Sequence, residues 1–349
     1  EHPDWLIATP GRNVSHGRNE YLLDFSRPEV VDNIYRQMAA VLGSAKVSYV
    51  KWDMNRSISE CYSSALPPER QGEVFHRYIL GVYELYERLS AEFPHILFES
   101  CSSGGGRFDP GMLYYAPQAW ASDNTDAVER LYIQYGTSFC YPISSIGAHV
   151  SAAPHAQTLR NTPLATRGNV SYFGCLGYEL DLKHLLPVEV KEIRAQIAFY
   201  KQYREIFQYG TFSRTNLGWQ VTDGKTTLAG VFHELVHAAP PYEQLRLTGL
   251  KKESRYRIAS LAQTIRVGQF GNLLKHVAPV NIDPNGQLLR LADRHVTLPY
   301  GEENMTASGA ALMSGILLRP VFRGTGYDQN QRTHGDFGSD IYIVEEIGE

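Results

Sequence analysis

The chain is short of several things that would narrow its chemistry. Its four cysteines, Cys61, Cys101, Cys140 and Cys175, stand far apart and form no CxxC pair, which excludes the usual zinc and small disulfide frameworks and fits reduced thiols in the cytoplasm. Basic charge is not in excess. With 33 Lys and Arg against 37 Asp and Glu, the net charge is -4, so nothing suits a phosphate backbone, and nucleic acid is not an expected partner. No apolar run approaches the roughly 20 residues of a membrane-spanning helix, so no membrane partner is expected either. The fingerprints of nucleotide binding and of serine hydrolases are missing too. No GxGxxG follows a first strand, CSSGGGRFD (101–109) lacks the Walker spacing, and GxSxG does not occur. His149 and His155 fit no common zinc spacing and have no Glu between them, so they read as loop histidines. The opening EHPDWLIATPGR has neither an initiator Met nor a signal peptide and resembles mid-domain sequence. Four N-x-S/T triplets start at Asn13, Asn55, Asn169 and Asn304. They keep secretion open as the alternative to a cytoplasmic location.

What is present is an ordinary globular composition, 43% hydrophobic and 20% charged in 349 residues, long enough for one large domain or two smaller ones. Tyrosine is abundant, with 22 against 14 Phe. Its flat apolar face and polar edge suit a sugar, and equally suit strand and helix interfaces. From about residue 28 to 208, helical and strand patterns alternate. Pro28 stands at a first helical position ahead of VVDNIYRQMAAVL, and 72–92 and 187–208 have an apolar stripe at helical spacing. Further helices are predicted over 125–139 and about 155–167. VSYVKW (47–52), HILFES (95–100), QAWAS (118–122), YPISSIG (141–147) and SYFGCLG (171–177) read as strands. Such alternation predicts a parallel sheet with outer helices. The fold expected is α/β, a (β/α)8 TIM-type barrel over 1–208, with an open doubly wound sheet as the competing arrangement. Five strands cannot close a barrel of eight, so the barrel is expected to be partial, with about three strands missing before Glu1 or a sixth supplied by YLLDF (21–25). After residue 209 short apolar stretches alternate with turn residues, which predicts an antiparallel β-sandwich over 209–349.

The chemically rich residues fall at predicted strand ends: Asp53 after VSYVKW, Cys101 after HILFES and Asp123 after QAWAS. Retaining glycoside hydrolysis needs two carboxyl groups about 5–5.5 Å apart, one to attack the anomeric carbon and one to protonate the leaving oxygen. Asp53 in KWDMNR and Asp123 in WASDNTD are the candidate pair, two strands apart at one barrel mouth. Lys51, two residues before Asp53, points to the same side of the strand, where its ammonium would keep that carboxylate ionised. The competing reading makes a strand-end Asp a turn or helix cap, and SDNTD is also a helix-start signal. Asp109 and Asp126 are read as helix-entry residues. Cys101 has no His–Asn partner pattern, so a weak contact suits it better than a nucleophile's role.

KWDMNR, the CxxGxxR set in CSSGGGRFD, and WASDNTD, in this order, resemble the glycoside hydrolase family 36 α-galactosidases. So do HPDW, GRN (17–19), LDFSRPEVVD (23–32) and GAHVSAAPH (147–155). The resemblance spans about residues 1–205 and is looser beyond. It implies a retaining α-galactosidase acting on melibiose- and raffinose-type oligosaccharides, with Asp53 as nucleophile, Asp123 as acid/base and no cofactor. It also implies that Arg18, Lys51 and Asn55 contact the galactose ring and that Cys101 and Gly104 meet its 2-hydroxyl side. The family's adjacent aspartates for the 4- and 6-hydroxyls are not found, and neither is its N-terminal β-sandwich. The resemblance therefore implies an N-terminally truncated chain holding barrel strands four to eight. The family also forms homo-oligomers, often tetramers. Alternatives are a galactosyltransferase of the raffinose-synthase type and a non-catalytic sugar-binding fragment.

Overall fold

The computed structural model describes residues 2–237, 242–273, 282–319 and 335–348. By contacts the chain divides into two compact units, Glu1–Asp123 and Asn124–Glu349.

The first unit is a parallel sheet under two amphipathic helices. Helix α1 (Pro28–Gly43) begins with Pro28 in its first turn, where the missing N–H costs nothing. Helix α2 (Val74–Glu92) buries Tyr78, Val82, Leu85, Tyr86 and Leu89, a 3–4 spacing that turns one face inward. They cover strands β1 (Tyr49–Asp53), β2 (Leu97–Cys101) and the two-residue β3 (Gln118–Ala119), paired in the order β1-β2-β3 and all parallel. Each fully buried large side chain here, such as Phe98 or Leu85, contributes about 1.5–3 kcal/mol through the apolar area it removes from water. Gly81 is required where α2 crosses residue 25, because a Cβ there would lie 1.9 Å from the Phe25 carbonyl oxygen. Asp24, fully buried, ties the entry to α1 by accepting from the Ser26 amide at 3.0 Å and hydroxyl at 2.6 Å and from the Ser63 hydroxyl. YLLDF makes only an isolated bridge between Leu23 and Leu6, so it adds no sixth strand. A short helix α3 (Pro110–Tyr115) links β2 to β3.

In the second unit, α4 (Ala127–Thr137), β4 (Gly147–Ser151), α5 (Leu164–Ser171), β5 (Cys175–Glu179) and α6 (Pro187–Tyr209) follow in sequence, and β4 pairs with β5 in parallel. Three expectations are corrected. The strand placed at 141–147 starts only at Gly147, because Pro142 has no N–H and Ile143–Ser145 close a 3-10 turn. The strand placed at 171–177 starts at Cys175, since α5 runs on through Ser171 and Tyr172 and Phe173 are spent in an aromatic cluster with Phe199 and Phe207. The helix expected over 155–167 begins at Leu164, after Pro163.

Beyond α6 the chain becomes antiparallel. Strands β6 (Thr211–Arg214), β7 (Gly218–Thr222), β8 (Thr226–Phe232), β9 (Gln244–Leu245), β10 (Arg255–Ser260), β11 (Gln263–Arg266), β12 (Thr297–Tyr300), β13 (Asn304–Ser308), β14 (Ile316–Leu317) and β15 (Ser339–Gly348) follow. Six of them form one sheet in the order β13-β10-β15-β8-β7-β6, while β11 pairs with β12 and β9 with β14. In β10 exposed Arg255 and Arg257 alternate with buried Tyr256 and Ile258, the period-two pattern of a sheet with one face in the core. The central strand β8 is buried over most of its length, and β15 is buried along its first half.

Candidate active site

The parallel ladder of the first unit fixes the geometry at its carboxyl end. Register sets Asp53 opposite Cys101 and Lys51 opposite Glu99, and the ladder continues one step with the Met54 amide donating to the Cys101 carbonyl at 3.0 Å. Asp53 is itself the last residue of β1, not the first after it. Its carboxylate accepts from the Asn55 side-chain amide, and Cys101 faces it across the ladder. Asn55 in turn accepts from the Ser103 amide at 2.8 Å and hydroxyl at 3.2 Å. One carboxamide therefore joins Asp53 to the turn after β2.

That turn explains the glycine run. Ser103 and Gly104 both have positive φ, at 47° and 88°, and the Ser102 amide donates to the Gly104 carbonyl at 3.0 Å. A Cβ on Gly104 would lie 2.8 Å from the Ser122 Cα and 3.1 Å from the Asp123 nitrogen, and one on Gly105 would lie 2.9 Å from the Ala121 carbonyl oxygen. Glycine here lets the turn lie directly on the backbone that leads to Asp123. The structure thus gathers Asp53, Asn55, Cys101, Gly104 and the Asp123 main chain at the ends of three neighbouring strands. Both Asp53 and Asp123 are exposed.

Burial pushes the Cys101 thiol up to about 11. The Gly104 N–H works against this and the Asp53 carboxylate adds to it. A neutral thiol at physiological pH is a poor nucleophile.

Lys51 is placed differently from the expectation. Its ammonium lies 3.7 Å from Glu99 and 3.9 Å from the centroid of the Trp120 ring, so the carboxylate it meets is Glu99. Glu99 is fully buried and also accepts from the Tyr49 hydroxyl and, at 2.7 Å, from the Gln118 amide. A buried carboxylate with this many donors holds the lysine stem upright against the sheet. Sequence reasoning missed Glu99. The signal was there, since setting KWD against ESC with Asp53 facing Cys101 puts Lys51 on Glu99.

Arg18 stands at the tip of a two-residue turn. Arg18 and Asn19 both have positive φ (55° and 62°), and Gly17 and Glu20 exchange hydrogen bonds of 3.2 and 2.9 Å. Arg56 braces the turn by donating to the Glu20 carbonyl at 3.2 Å and the Ser15 carbonyl at 3.0 Å. A cavity of about 350 Å³ opens beside Asp53 and Asn55, walled by Leu22, Phe25, Trp52 and Tyr78. Glu20 and Tyr21 reach it from the turn. Arg18, Lys51, Cys101, Gly104 and Asp123 are not among its lining residues.

The neighbouring acids have structural work. Asp109 caps α3 through the Met112 amide at 3.0 Å. Asp126 caps α4 through the Val128 amide at 2.8 Å and pairs with Arg160 at 2.6 Å. Burial would raise the Asp126 carboxyl, but Thr158 and Arg160 outweigh it and hold it low. The helix-start signal in SDNTD thus belongs to Asp126, which leaves Asp123 uncommitted to a cap. His149 lies within β4, 3.4 Å from Glu179, and not in a loop. His155 is buried, accepting at Nδ1 from the Gln157 and Thr158 amides, with Nε2 3.0 Å from the Thr125 hydroxyl. Among the described residues no group of three His, Cys, Asp or Glu side chains could hold a metal ion, and no helix is long and apolar enough to cross a membrane.

Comparison with known proteins follows this geometry. Residues 1–210 match the family described as Melibiase, and residues 217–344 match the glycosyl hydrolase family 36 C-terminal domain. The chain is 51% identical over 270 residues to alpha-galactosidase AgaA of Geobacillus stearothermophilus, an alignment covering 75% of this chain and 37% of that protein. To alpha-galactosidase Mel36A of Lactobacillus acidophilus it is 48% identical over 265 residues, 74% of this chain and 36% of the relative. The crystal structure of AgaA in complex with raffinose superposes with a TM-score of 0.80 at 40% identity, covering 99% of this chain and 42% of that one. A further AgaA structure, in complex with stachyose, gives 0.80 at 41% identity, covering 99% and 42%. The chain therefore spans well under half the length of these relatives.

Proposed function

The chain belongs to the melibiase family of glycoside hydrolase family 36, and from that premise we propose that it carries the catalytic carboxylates of a retaining α-galactosidase. The substrates would be terminal α-galactosides of the raffinose and stachyose type, the sugars held in the related structures. The observation that carries this reading is Asp53 at the end of β1, facing Cys101 and tied through Asn55 to a glycine turn lying on the backbone of Asp123.

The chemistry takes two displacements. Asp123, protonated, gives its proton to the departing glycosidic oxygen while Asp53 attacks the anomeric carbon from the opposite face. A galactosyl ester on Asp53 results. Asp123, now a carboxylate, takes a proton from water, which opens the ester and releases galactose with its configuration retained. The Asn55 carboxamide donates to the Asp53 carboxylate and orients it. Lys51, Arg18 and Gly104 contribute to the galactose shell in this reading. The strands β1 to β5 are read as consecutive strands of a (β/α)8 barrel over 1–208, followed by a β-sandwich over 209–349. A homo-oligomer of the family kind, often tetrameric, is part of the same proposal.

The test is Asp53→Gly with raffinose as substrate. Turnover should vanish, and azide should restore cleavage of an activated aryl galactoside by forming the galactosyl azide. Wild-type turnover in the variant removes Asp53 from the mechanism. Transfer to added sucrose outcompeting water would instead favour a galactosyltransferase.

A further inference from the structure

A second cavity, of about 200 Å³, lies in the unit Asn124–Glu349 between α5, α6, the stretch Leu261–Thr264 and the start of β12. Nothing in the glycosidase mechanism uses it. Its walls combine small apolar side chains, Ala165, Val188, Ala195 and Leu261, with polar groups that face the same space.

Two of those polar groups make no hydrogen bond among the described residues. Tyr172 is 1% exposed and packed among Phe199, Tyr200 and Phe207, yet its hydroxyl has no hydrogen bond among the described residues. Glu192 lines the same cavity from α6 and makes neither an ion pair nor a hydrogen bond among the described residues. The carboxamides of Gln196 and Asn169 are already committed. Gln196 donates to the Leu164 carbonyl at 3.0 Å and accepts from Tyr178 at 2.9 Å, and the Asn169 amide donates to Ser339 at 2.9 Å. Committed carboxamides fix the walls, while the phenol and the carboxyl remain to meet a guest.

The charges around the cavity select the guest. Lys191 lines it, and Arg167 and Arg266 act on Glu192 from nearby, so an organic cation is repelled. Glu192 and the neighbouring Glu189 disfavour an anion. Burial raises the Glu192 carboxyl to about 7, with Arg167 and Arg266 lowering it and Glu189 raising it, so near neutrality it both donates and accepts. The Tyr172 phenol, held far above its ordinary value by burial, does the same. Alcohol hydroxyls are the groups that demand both. Small apolar walls suit the C–H faces of a ring, and the volume suits one ring rather than a chain.

We propose that this cavity is a binding site for a single small neutral polyhydroxy molecule, a pyranose or a polyol of similar size, with Tyr172 and Glu192 as its principal hydrogen-bonding partners.

Saturation-transfer NMR and calorimetry with D-glucose, D-galactose and xylitol test the proposal on the whole chain. The comparison set is Asp53→Ala, Tyr172→Phe, Glu192→Ala and Ala195→Phe. The last fills an exposed wall and keeps the assay readable if a buried substitution fails to fold. For D-glucose and xylitol one saturable site is expected in the wild type and in Asp53→Ala, and for D-galactose this site in addition to the one at Asp53. The cavity site is weakened more than about tenfold by Tyr172→Phe, by Glu192→Ala and by Ala195→Phe. Three results would overturn it. These are no saturable binding up to about 100 mM, binding lost in Asp53→Ala but unchanged in the three cavity variants, and saturation by inorganic phosphate or spermidine in place of the sugars.

Discussion

The strand ends of the first unit and the antiparallel sheet of the second use polar residues in opposite ways. At the ends of β1 to β3, Asp53 and Asp123 are left exposed, and Asn55 orients Asp53 without neutralising it. In the antiparallel sheet the polar groups are consumed. Glu303 accepts from the Tyr342 hydroxyl, and Gln220 is exhausted on the main chain and hydroxyl of Thr248 at 2.9 and 3.0 Å. The first region has chemistry available because its charges are unspent. The second gains stability because buried polar groups such as Gln220 and Glu303 are engaged. Substitutions should therefore separate activity from stability along the same line.

The sharpest division is expected at Asp123. Asp123→Ala should lower turnover of raffinose by about 10²–10⁴ while leaving the melting temperature within a degree or so, and nitrophenyl galactoside, which needs little protonation, should lose far less. Equal losses on both substrates would remove Asp123 from the acid role. In the sheet, Leu228→Ala, fully buried in β8, should cost about 2–5 kcal/mol of stability in denaturant titration with kcat unchanged below the transition. A large fall in kcat at low temperature would break the distinction. Glu99→Gln crosses the two categories, since it removes the counter-charge of Lys51 but keeps the Tyr49 and Gln118 contacts within reach. About a tenfold rise in KM is expected, with a smaller change in kcat. The smallest effect is a pH dependence. The Glu192 carboxyl rises from 4.5 unfolded to about 7 folded, so between those values the native state holds a proton that the unfolded state has lost. Stability therefore falls as pH rises from about 4.5 to 7 and is level above. Glu192→Gln should flatten that slope and leave the variant more stable at pH 8 by about 1–3 kcal/mol.

The sequence made the strand ends legible for a physical reason. Buried parallel strands are short β-branched and aromatic runs, and VSYVKW and HILFES end where Asp53 and Cys101 stand. Helix α1 was announced by Pro28. What stayed hidden depends on pairing across the chain. The Lys51–Glu99 contact is a fact of register, invisible until β1 is laid against β2. Pro142 should have argued against a strand at YPISSIG, and the apolar Ile143 and Ile146 masked that signal because both are buried in a turn. The positive φ of Arg18 and Asn19 also escaped, since neither is glycine, although Asn tolerates that region better than most. The cavity at Tyr172 and Glu192 escaped for another reason. Its walls come from four separate stretches, and no local pattern reports an unpartnered hydroxyl.

The order β13-β10-β15-β8-β7-β6 has a consequence for how the sheet can be assembled and taken apart. Strand β15 follows the other strands in the chain but occupies the middle, so β10 and β8 have no ladder between them until residues 339–348 arrive. Severed between β14 and β15, the chain would hold two half-sheets with facing vacant edges of fixed register. A synthetic peptide of residues 339–348 is the matching insert, and its capture would serve as a reporter of when the sheet closes.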